Sequence, residues 1–310
     1  WGLFTHIEAL VEDTSVVNFV TELVAGDRIS MNVTSPSGKY QLDLGDGNLV
    51  DVPSGFYRGK VAGSYIKVYG DVTAVVASGC KIKSAKVNRD NLTLLNLNDN
   101  ALVEFELPKS DLLTSLALQG NKLTRLVLPV ELPKLKMLSL KGNQLTELPA
   151  VKMPELKTLM AGNNAFAKLD LTAYAKLQSI RLNNCKLTEL FIPMSCTELH
   201  AENNQLTFAG QDFSGYNVLK TLRLSKNKIE SFKVTSCGAL KELELKQNGL
   251  KTLVLGELPA LKYVDLRVNL LSSSMLDAVY EALPTVTRGT IKVIGNEEAD
   301  KAHGYIATDK

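Results

Sequence analysis

Two neighbouring stretches of this chain share one pattern: residues 92–102 read LTLLNLNDNAL, and residues 113–123 read LTSLALQGNKL. Both fit L-x-x-L-x-L-x-x-N-x-L, with the asparagine at Asn100 in the first stretch and at Asn121 in the second. Self-similarity at a fixed period is the signature of a repeat architecture, in which every copy is one structural unit. The two stretches therefore predict a solenoid of stacked coils rather than a domain with one central core.

The asparagine column extends this pattern in both directions along the chain. Its members recur about every 21 residues, and cysteine twice replaces asparagine. The column consists of Cys80, Asn100, Asn121, Asn143, Asn164, Cys185, Asn204, Asn227, Asn248 and Asn269, and a terminal half-copy adds Asn296. We expect each asparagine amide to lie in the turn after a strand and to bond backbone groups of adjacent coils, because a buried polar residue needs partners.

The x-L-x-L segment in the middle of each copy, such as the one that contains Leu95 and Leu97, alternates with period two. Such alternation predicts a short strand whose leucines point inward while the residues between them face out. One strand cannot bury its leucines alone, but stacked copies form a parallel ladder. A second apolar pair in most copies, such as Leu126 and Leu128, predicts that the return arm of each coil is also extended.

This pattern resembles the leucine-rich-repeat family, in its short bacterial class, over residues 72–296. The resemblance implies a mostly β fold, a right-handed solenoid of about ten 21-residue repeats with a parallel concave sheet. The serines at 272–274 and Pro284 enclose an apolar segment and predict a short capping helix near residues 274–283. Residues 297–310 are expected to form a C-terminal tail or an incomplete last strand.

Residues 1–71 have a different character and predict a small β-rich N-terminal module. Alternating strand patterns and glycine-containing turns both occur in it. Residues 42–47, LDLGDG, and residues 63–68, GSYIKV, resemble PKD-like β-sandwich domains, with Leu42 in the place of a tryptophan. The order of parts is similar to cell-surface leucine-rich-repeat proteins of Bacteroides-like gut anaerobes. That resemblance implies an exported protein and allows a lipid anchor upstream of Trp1.

The composition excludes several classes of protein. The chain of 310 residues has 35 Lys and Arg against 33 Asp and Glu, a net charge of +2, so its charge balance does not favour a nucleic acid or an anionic membrane as the main partner. Charged residues interrupt every apolar stretch well before the ~20 residues of a membrane-spanning helix. The four cysteines lack CxxC spacing, and no disulfide is expected. We interpret Cys80, Cys185 and Cys196 as buried structural thiols and expect Cys237, at the end of a coil, to be more exposed.

A cation site in the N-terminal module is the alternative interpretation of three aspartates. Asp43, Asp46 and Asp51 are spaced oxygen donors that could gather around Ca²⁺, yet they miss the pattern of a calcium-binding loop. Turn chemistry is the favoured interpretation of these residues. No metal or other cofactor is expected.

The residues between the strand leucines are the candidate binding surface, because they cannot be core and are aligned in columns. Exposed methionine, tyrosine and arginine are what contact surfaces enrich. The predicted ligand-binding residues are Met137, Met160, Arg181, His200, Arg223 and Tyr263. The alternative interpretation is that these side chains simply solvate a strand face.

The resulting hypothesis is a non-catalytic, exported surface protein that binds a host or bacterial protein or peptide through its concave face. The alternatives are a glycan-binding adhesin and an envelope scaffold without a specific ligand. The segments that flank the repeats are too short for a separate catalytic domain of the usual size, which argues against an enzyme. The sequence leaves the ligand and the oligomeric state open.

Overall fold

The computed structural model describes residues 13–286, 288–296, 299–300 and 302. Residues 1–12 and most of the predicted tail at 297–310 lie outside the described residues. The strands are β1 Val17–Thr21, β2 Arg28–Thr34, β3 Lys39–Asp43, β4 Leu49–Pro53, β5 Gly55–Lys60, β6 Tyr65–Tyr69, β7 Ala74–Val76, β8 Ile82–Val87, β9 Leu94–Asn96, β10 Glu104–Glu106, β11 Ser115–Ala117, β12 Arg125–Val127, β13 Met137–Ser139, β14 Thr158–Met160, β15 Lys168–Asp170, β16 Ser179–Arg181, β17 Glu189–Phe191, β18 Glu198–His200, β19 Thr221–Arg223, β20 Ser231–Val234, β21 Glu242–Glu244, β22 Thr252–Leu255, β23 Tyr263–Asp265 and β24 Thr290–Lys292, and the helix is α1 Ser273–Ala282.

One long sheet of 13 strands runs through the repeats. Each copy supplies one strand, and each strand pairs in parallel with the next. The parallel strands, in order, are β7, β9, β11, β13, β14, β16, β18, β19, β21, β23 and β24. The return arms form three further parallel pairs, β10 with β12, β15 with β17, and β20 with β22. The structure confirms the mostly β solenoid of stacked, parallel-stranded coils.

Leucines and asparagines hold adjacent coils together in different ways. The leucines of the repeat pattern, such as Leu140 and Leu224 directly after strands β13 and β19, have no exposed surface and form a core that continues from coil to coil. The Asn121 amide donates to the carbonyl oxygens of Leu97 at 2.9 Å and Leu118 at 3.0 Å, and its oxygen accepts the backbone N–H of Leu102 at 3.1 Å. Because Leu97 belongs to the preceding coil, this side chain ties two coils together, as predicted.

The N-terminal strands are divided between two sheets next to the first coil. β2 and β5 extend the long sheet by antiparallel pairing, with Asn32 opposite Val76 of the first repeat. The other N-terminal strands form a five-stranded antiparallel sheet in the order β4-β3-β6-β1-β8. β8 lies beyond residue 72 in the chain, yet it pairs with β1. The division at residue 71 and the PKD-like identity of the module stay predictions.

Helix α1 follows β23 in the chain and packs against the return arm β22, while β24 forms the last strand of the long sheet. Its role as a cap of the solenoid stays a prediction. The Ser272 hydroxyl accepts the backbone N–H of Met275 at 3.2 Å, so this serine is the N-cap among the three predicted candidates. The helix ends at Ala282, close to the predicted boundary, and buries Leu276, Val279 and Tyr280. In the described part of the chain, no helix has the length and apolar character needed to span a bilayer.

Candidate functional site: the ladder face

Each repeat strand of the long sheet has a buried central residue, usually leucine. The residues before and after it point to the opposite face of the sheet, which we call the ladder face. Parallel pairing aligns these side chains in two columns. The first column contains Leu94, Ser115, Met137, Thr158, Ser179, Glu198, Thr221, Glu242 and Tyr263, and the second contains Asn96, Ala117, Ser139, Met160, Arg181, His200, Arg223, Glu244 and Asp265. All six predicted binding residues lie on this face, Met137 and Tyr263 in the first column and the other four in the second.

The apolar part of the ladder face is less exposed than the sequence suggested. Met137 and Met160 are half-buried on the neighbouring strands β13 and β14. Tyr263 is also half-buried, and the Lys292 ammonium lies 5.1 Å from the centre of its ring, within reach of a cation–π interaction. These three side chains offer apolar surface that a partner could cover.

The charged part of the ladder face begins at Arg181 and His200. Arg181 Nη2 lies 3.6 Å from Glu198 Oε2, and His200 Nε2 lies 2.9 Å from Glu198 Oε1. His200 Nε2 makes no hydrogen bond, because its geometry toward the Glu198 carboxylate is unsuitable despite the short distance. The two side chains are therefore close neighbours that can interact only through charge. Burial alone would raise the pKa of Glu198, but His200, the Ser179 hydroxyl and Arg181 together lower it. The charged group in contact with His200 is therefore the Glu198 carboxylate, and not the guanidinium group of Arg181 or Arg223.

Arg223 lies among several carboxylates. Its Nε donates to Glu242 Oε1 at 2.9 Å, and the same Nε is 3.7 Å from Glu244 Oε1. Burial and the neighbouring carboxyl groups of Glu242 and Glu202 raise the pKa of Glu244 to about 7, although Arg223 acts in the opposite direction. Glu244 is thus close to half-protonated at neutral pH.

Sequence reasoning missed two side chains of this face, Glu198 and Glu202. Glu198 precedes the central leucine of its strand, and Glu202 follows the strand in a third column that also contains Ser225 and Lys246. The carboxylate atom Oε2 of Glu202 is buried without a hydrogen-bond partner, and so is the hydroxyl of Ser225. The repeat register was sufficient to find this column, because every coil places the equivalent residue beside its neighbours.

The cysteines have no arrangement that activates a thiol. All four are buried and free. Burial raises the pKa of Cys80 and of Cys185 to about 11, which disfavours the thiolate that nucleophilic attack requires. Cys237, expected to be the most exposed, is fully buried, and its thiol donates to the carbonyl oxygen of Phe213 at 2.8 Å.

The three aspartates of the calcium hypothesis are engaged in turn and strand contacts. Asp43 Oδ1 accepts the backbone N–H groups of Gly45 and Gly47, each at 3.0 Å. Asp46 Oδ1 accepts the backbone N–H of Asn48 at 3.0 Å, and Asp51 Oδ1 accepts the side-chain amide of Gln41 at 2.8 Å. No grouping of three or more potential metal ligands occurs within the described ranges. These contacts favour the turn interpretation.

A second surface feature lies on the return arms, between β12 and β15. It is a cavity of about 860 Å³ lined by Leu148, Val151 and Tyr174 and bordered by both acidic and basic side chains. Its mixed rim shows no charge preference for a ligand. The ladder face is the better candidate because its side chains are aligned by the register of successive coils.

Comparison with solved structures identifies the architecture. The chain is similar to the functional domain of InlJ from Listeria monocytogenes, with a TM-score of 0.59 and 21% identity over 80% of this chain and 59% of that one. It is also similar to YopM from Yersinia enterocolitica, with a TM-score of 0.53 and 24% identity over 63% of this chain and 41% of that one. The chain has a leucine-rich-repeat fold. It spans about three fifths of the InlJ domain and two fifths of YopM.

The same fold occurs in a chain of an octameric complex of Latrophilin 3, Unc5D and the leucine-rich-repeat part of FLRT2. That chain has a TM-score of 0.50 and 17% identity over 69% of this chain and 80% of its own length. No protein-family model and no curated protein matches the sequence. The leucine-rich-repeat assignment therefore rests on the repeat pattern and on the structure.

Proposed function

We propose that this protein is a non-catalytic, exported bacterial surface protein whose ladder face is the concave binding surface for a protein or peptide. The observation that carries the proposal is the alignment of half-buried methionine and tyrosine with arginine forks on one face of the sheet. Protein contacts concentrate their binding energy in such residues, because apolar surface is desolvated and guanidinium groups pair carboxylates with two hydrogen bonds.

A protein or peptide ligand suits this face better than the alternatives. The second half of the second column presents charges of both signs, from Arg181 through Arg223 to Glu244. A chain with charged side chains can match them, whereas a neutral glycan offers no charge to pair. The occurrence of the same fold in the complex of Latrophilin 3, Unc5D and FLRT2 supports a protein as the class of ligand.

The support for export and surface location is the resemblance of the order of sequence parts to cell-surface proteins of gut anaerobes. The proposal includes a host or bacterial protein as partner. A lipid anchor upstream of the chain is compatible with it.

The test is selection from a displayed library of 12-residue peptides, followed by binding measurements on the selected peptides with two matched double variants. Met160→Ala with Arg181→Ala truncates the ladder face, and Arg125→Ala with Val127→Ala truncates the return arm on β12. Peptides that bind the ladder face should lose about tenfold or more in affinity for the first variant and little for the second. Equal affinity for both variants would show that the ladder face is not the binding surface.

A further inference from the structure

The ladder face contains more carboxylates than cations around Arg223. Three ion pairs each neutralise one carboxylate with one arginine. They are Arg181 with Glu198, Arg223 with Glu242, and Arg267 with Asp265. Two carboxylates are then left over. Glu244 has only a longer contact of 3.7 Å with the shared Arg223, and Glu202 has no ion pair within 4 Å among the described residues. We call Glu202, Glu242 and Glu244 the acid cluster.

Unpartnered polar atoms lie beside this cluster. Glu202 Oε2 has lost water without gaining a hydrogen-bond donor, and Ser225, which is 8% exposed, has an equally isolated hydroxyl. The register places Ser225 next to Glu202, because the Asn203 N–H donates to the Ser225 carbonyl oxygen at 2.9 Å and keeps the two coils aligned. A buried acceptor without a donor costs about 1 to 3 kcal/mol, so native proteins usually complete one with water, an ion or a ligand.

The charges around Glu244 define what such a ligand must supply. Glu242 and Glu202 repel its ionised form, and the charge of Arg223 is already shared with Glu242. The remaining charged groups near Glu244 are Asp265 and Arg267 on the next coil and Lys246, which follows two residues later in the same coil. The free protein therefore has too few cations to pair with these carboxylates, and Glu244 is partly protonated instead. A cationic hydrogen-bond donor from a ligand would replace this proton.

We infer that the acid cluster receives a lysine or arginine side chain of the peptide bound to the ladder face. This inference rests on the proposed function. The ammonium or guanidinium group donates to Glu202 Oε2 and to the Glu244 carboxylate, which completes the unpartnered acceptor and pairs the surplus charge. Arginine fits best because its planar group can donate to two carboxylates at once.

The direct test uses two tripeptides that differ in charge alone. Nα-acetyl-Gly-Arg-Gly-amide and the analogue with neutral citrulline in place of arginine are titrated into the full protein at pH 8, with binding followed by NMR chemical shifts. We expect the arginine peptide to bind about tenfold more tightly than the citrulline peptide. Lowering the pH from 8 to 6 should weaken the arginine peptide by about threefold, because Glu244 takes up its proton and loses its charge.

Matched variants locate the effect. Glu202→Gln with Glu244→Gln keeps the shape of the cluster and removes two charges, so it should abolish the preference for arginine. Glu104→Gln with Glu189→Gln, on the exposed return arms, should retain that preference. Thermal melts establish that both variants are folded before the titrations are compared.

The outcomes separate this inference from the proposed function. Equal binding of the two tripeptides, binding of neither, or an unchanged preference in Glu202→Gln with Glu244→Gln overturns the inference. If the selected library peptides still depend on Met160 and Arg181 in that case, only the inference fails. If the arginine tripeptide requires the acid cluster while the library peptides ignore the ladder-face truncation, the inference holds for the isolated side chain and the proposed function fails.

Discussion

At the scale of single residues, the buried leucines of the repeat pattern determine whether neighbouring coils stay packed. Leu140 and Leu224 have no exposed surface. Replacing either with alanine should lower the free energy of unfolding by about 2 to 5 kcal/mol, because the lost methyl groups leave a cavity that rigid coils on both sides cannot close. Urea denaturation measures the change, and Val254→Ala, on a side chain that is 44% exposed, is the control. Losses below about 0.5 kcal/mol at both leucines would mean that the register of the coils is wrong.

Glu244 should make the stability of the protein depend on pH. Its pKa is raised from an ordinary 4.5 to about 7, so between these values the folded state binds more protons than the unfolded state. The stabilisation by this proton is complete below about pH 4.5 and is lost as the pH rises through about 7. Because residual solvent screens the charges, we expect the loss in wild type between pH 5 and pH 8 to exceed that in Glu244→Gln by about 1 to 2 kcal/mol. Urea denaturation of both proteins at the two pH values tests this, and parallel curves would contradict it.

At the scale of elements, the packing of α1 against the return arm β22 depends on how the helix begins. The Ser272 hydroxyl satisfies one backbone N–H that the first turn leaves open. Ser272→Ala should lower stability by about 0.5 to 2 kcal/mol, while Ser272→Thr, which keeps a hydroxyl, should lose much less. Thermal melts and hydrogen exchange across residues 273–282 provide the measurement. Equal losses in the two variants would show that the cap hydroxyl is not what stabilises the helix.

The turn after β3 depends on a glycine for two separate reasons. Gly45 has a φ of +108°, and a Cβ at this position would lie 2.6 Å from the backbone nitrogen of Gly63. Gly45→Ala should therefore cost about 3 kcal/mol or more, since the backbone conformation and the close approach both oppose a side chain. Gly38, with a φ of +83° and open space around it, is the matched control, and Gly38→Ala should cost about 1 kcal/mol. Equal losses in urea denaturation would mean that the contact with Gly63 does not constrain the turn.

At the scale of the whole molecule, the reactivity of the buried thiols tests whether the packed coils keep reagents out of the core along the whole solenoid. The four cysteines lie in different coils and are all buried and free. Without reductant, alkylation in denaturant should label four thiols, whereas the native protein should react slowly, because the coils exclude the reagent and burial suppresses the thiolate. Intact-mass measurement before and after alkylation checks both statements. Fewer than four labels in denaturant would indicate a disulfide.

The predicted architecture came from patterns that act within one coil. The leucine spacing sets the strand, the column asparagine sets the turn, and a serine before an apolar segment sets the start of α1, so each could be interpreted from residues close together in the sequence. The six candidate binding residues were placed on one face for the same reason, because period-two alternation assigns a side chain to a face without any knowledge of its neighbours.

The contacts between coils could not be predicted in this way. Glu198 and His200 contact each other within one strand, but the contacts of Arg223 with Glu242 and Glu244 join residues from successive coils. The antiparallel pairing of β2 with β7 and of β8 with β1 likewise joins segments that no local pattern relates. The amino-acid sequence by itself determined the repeat, its period and the face on which each side chain lies. Only the tertiary structure decided which charges are paired and which are left over. The stacked coils bring together side chains about 20 residues apart, and each charged group then has several possible partners at similar distances.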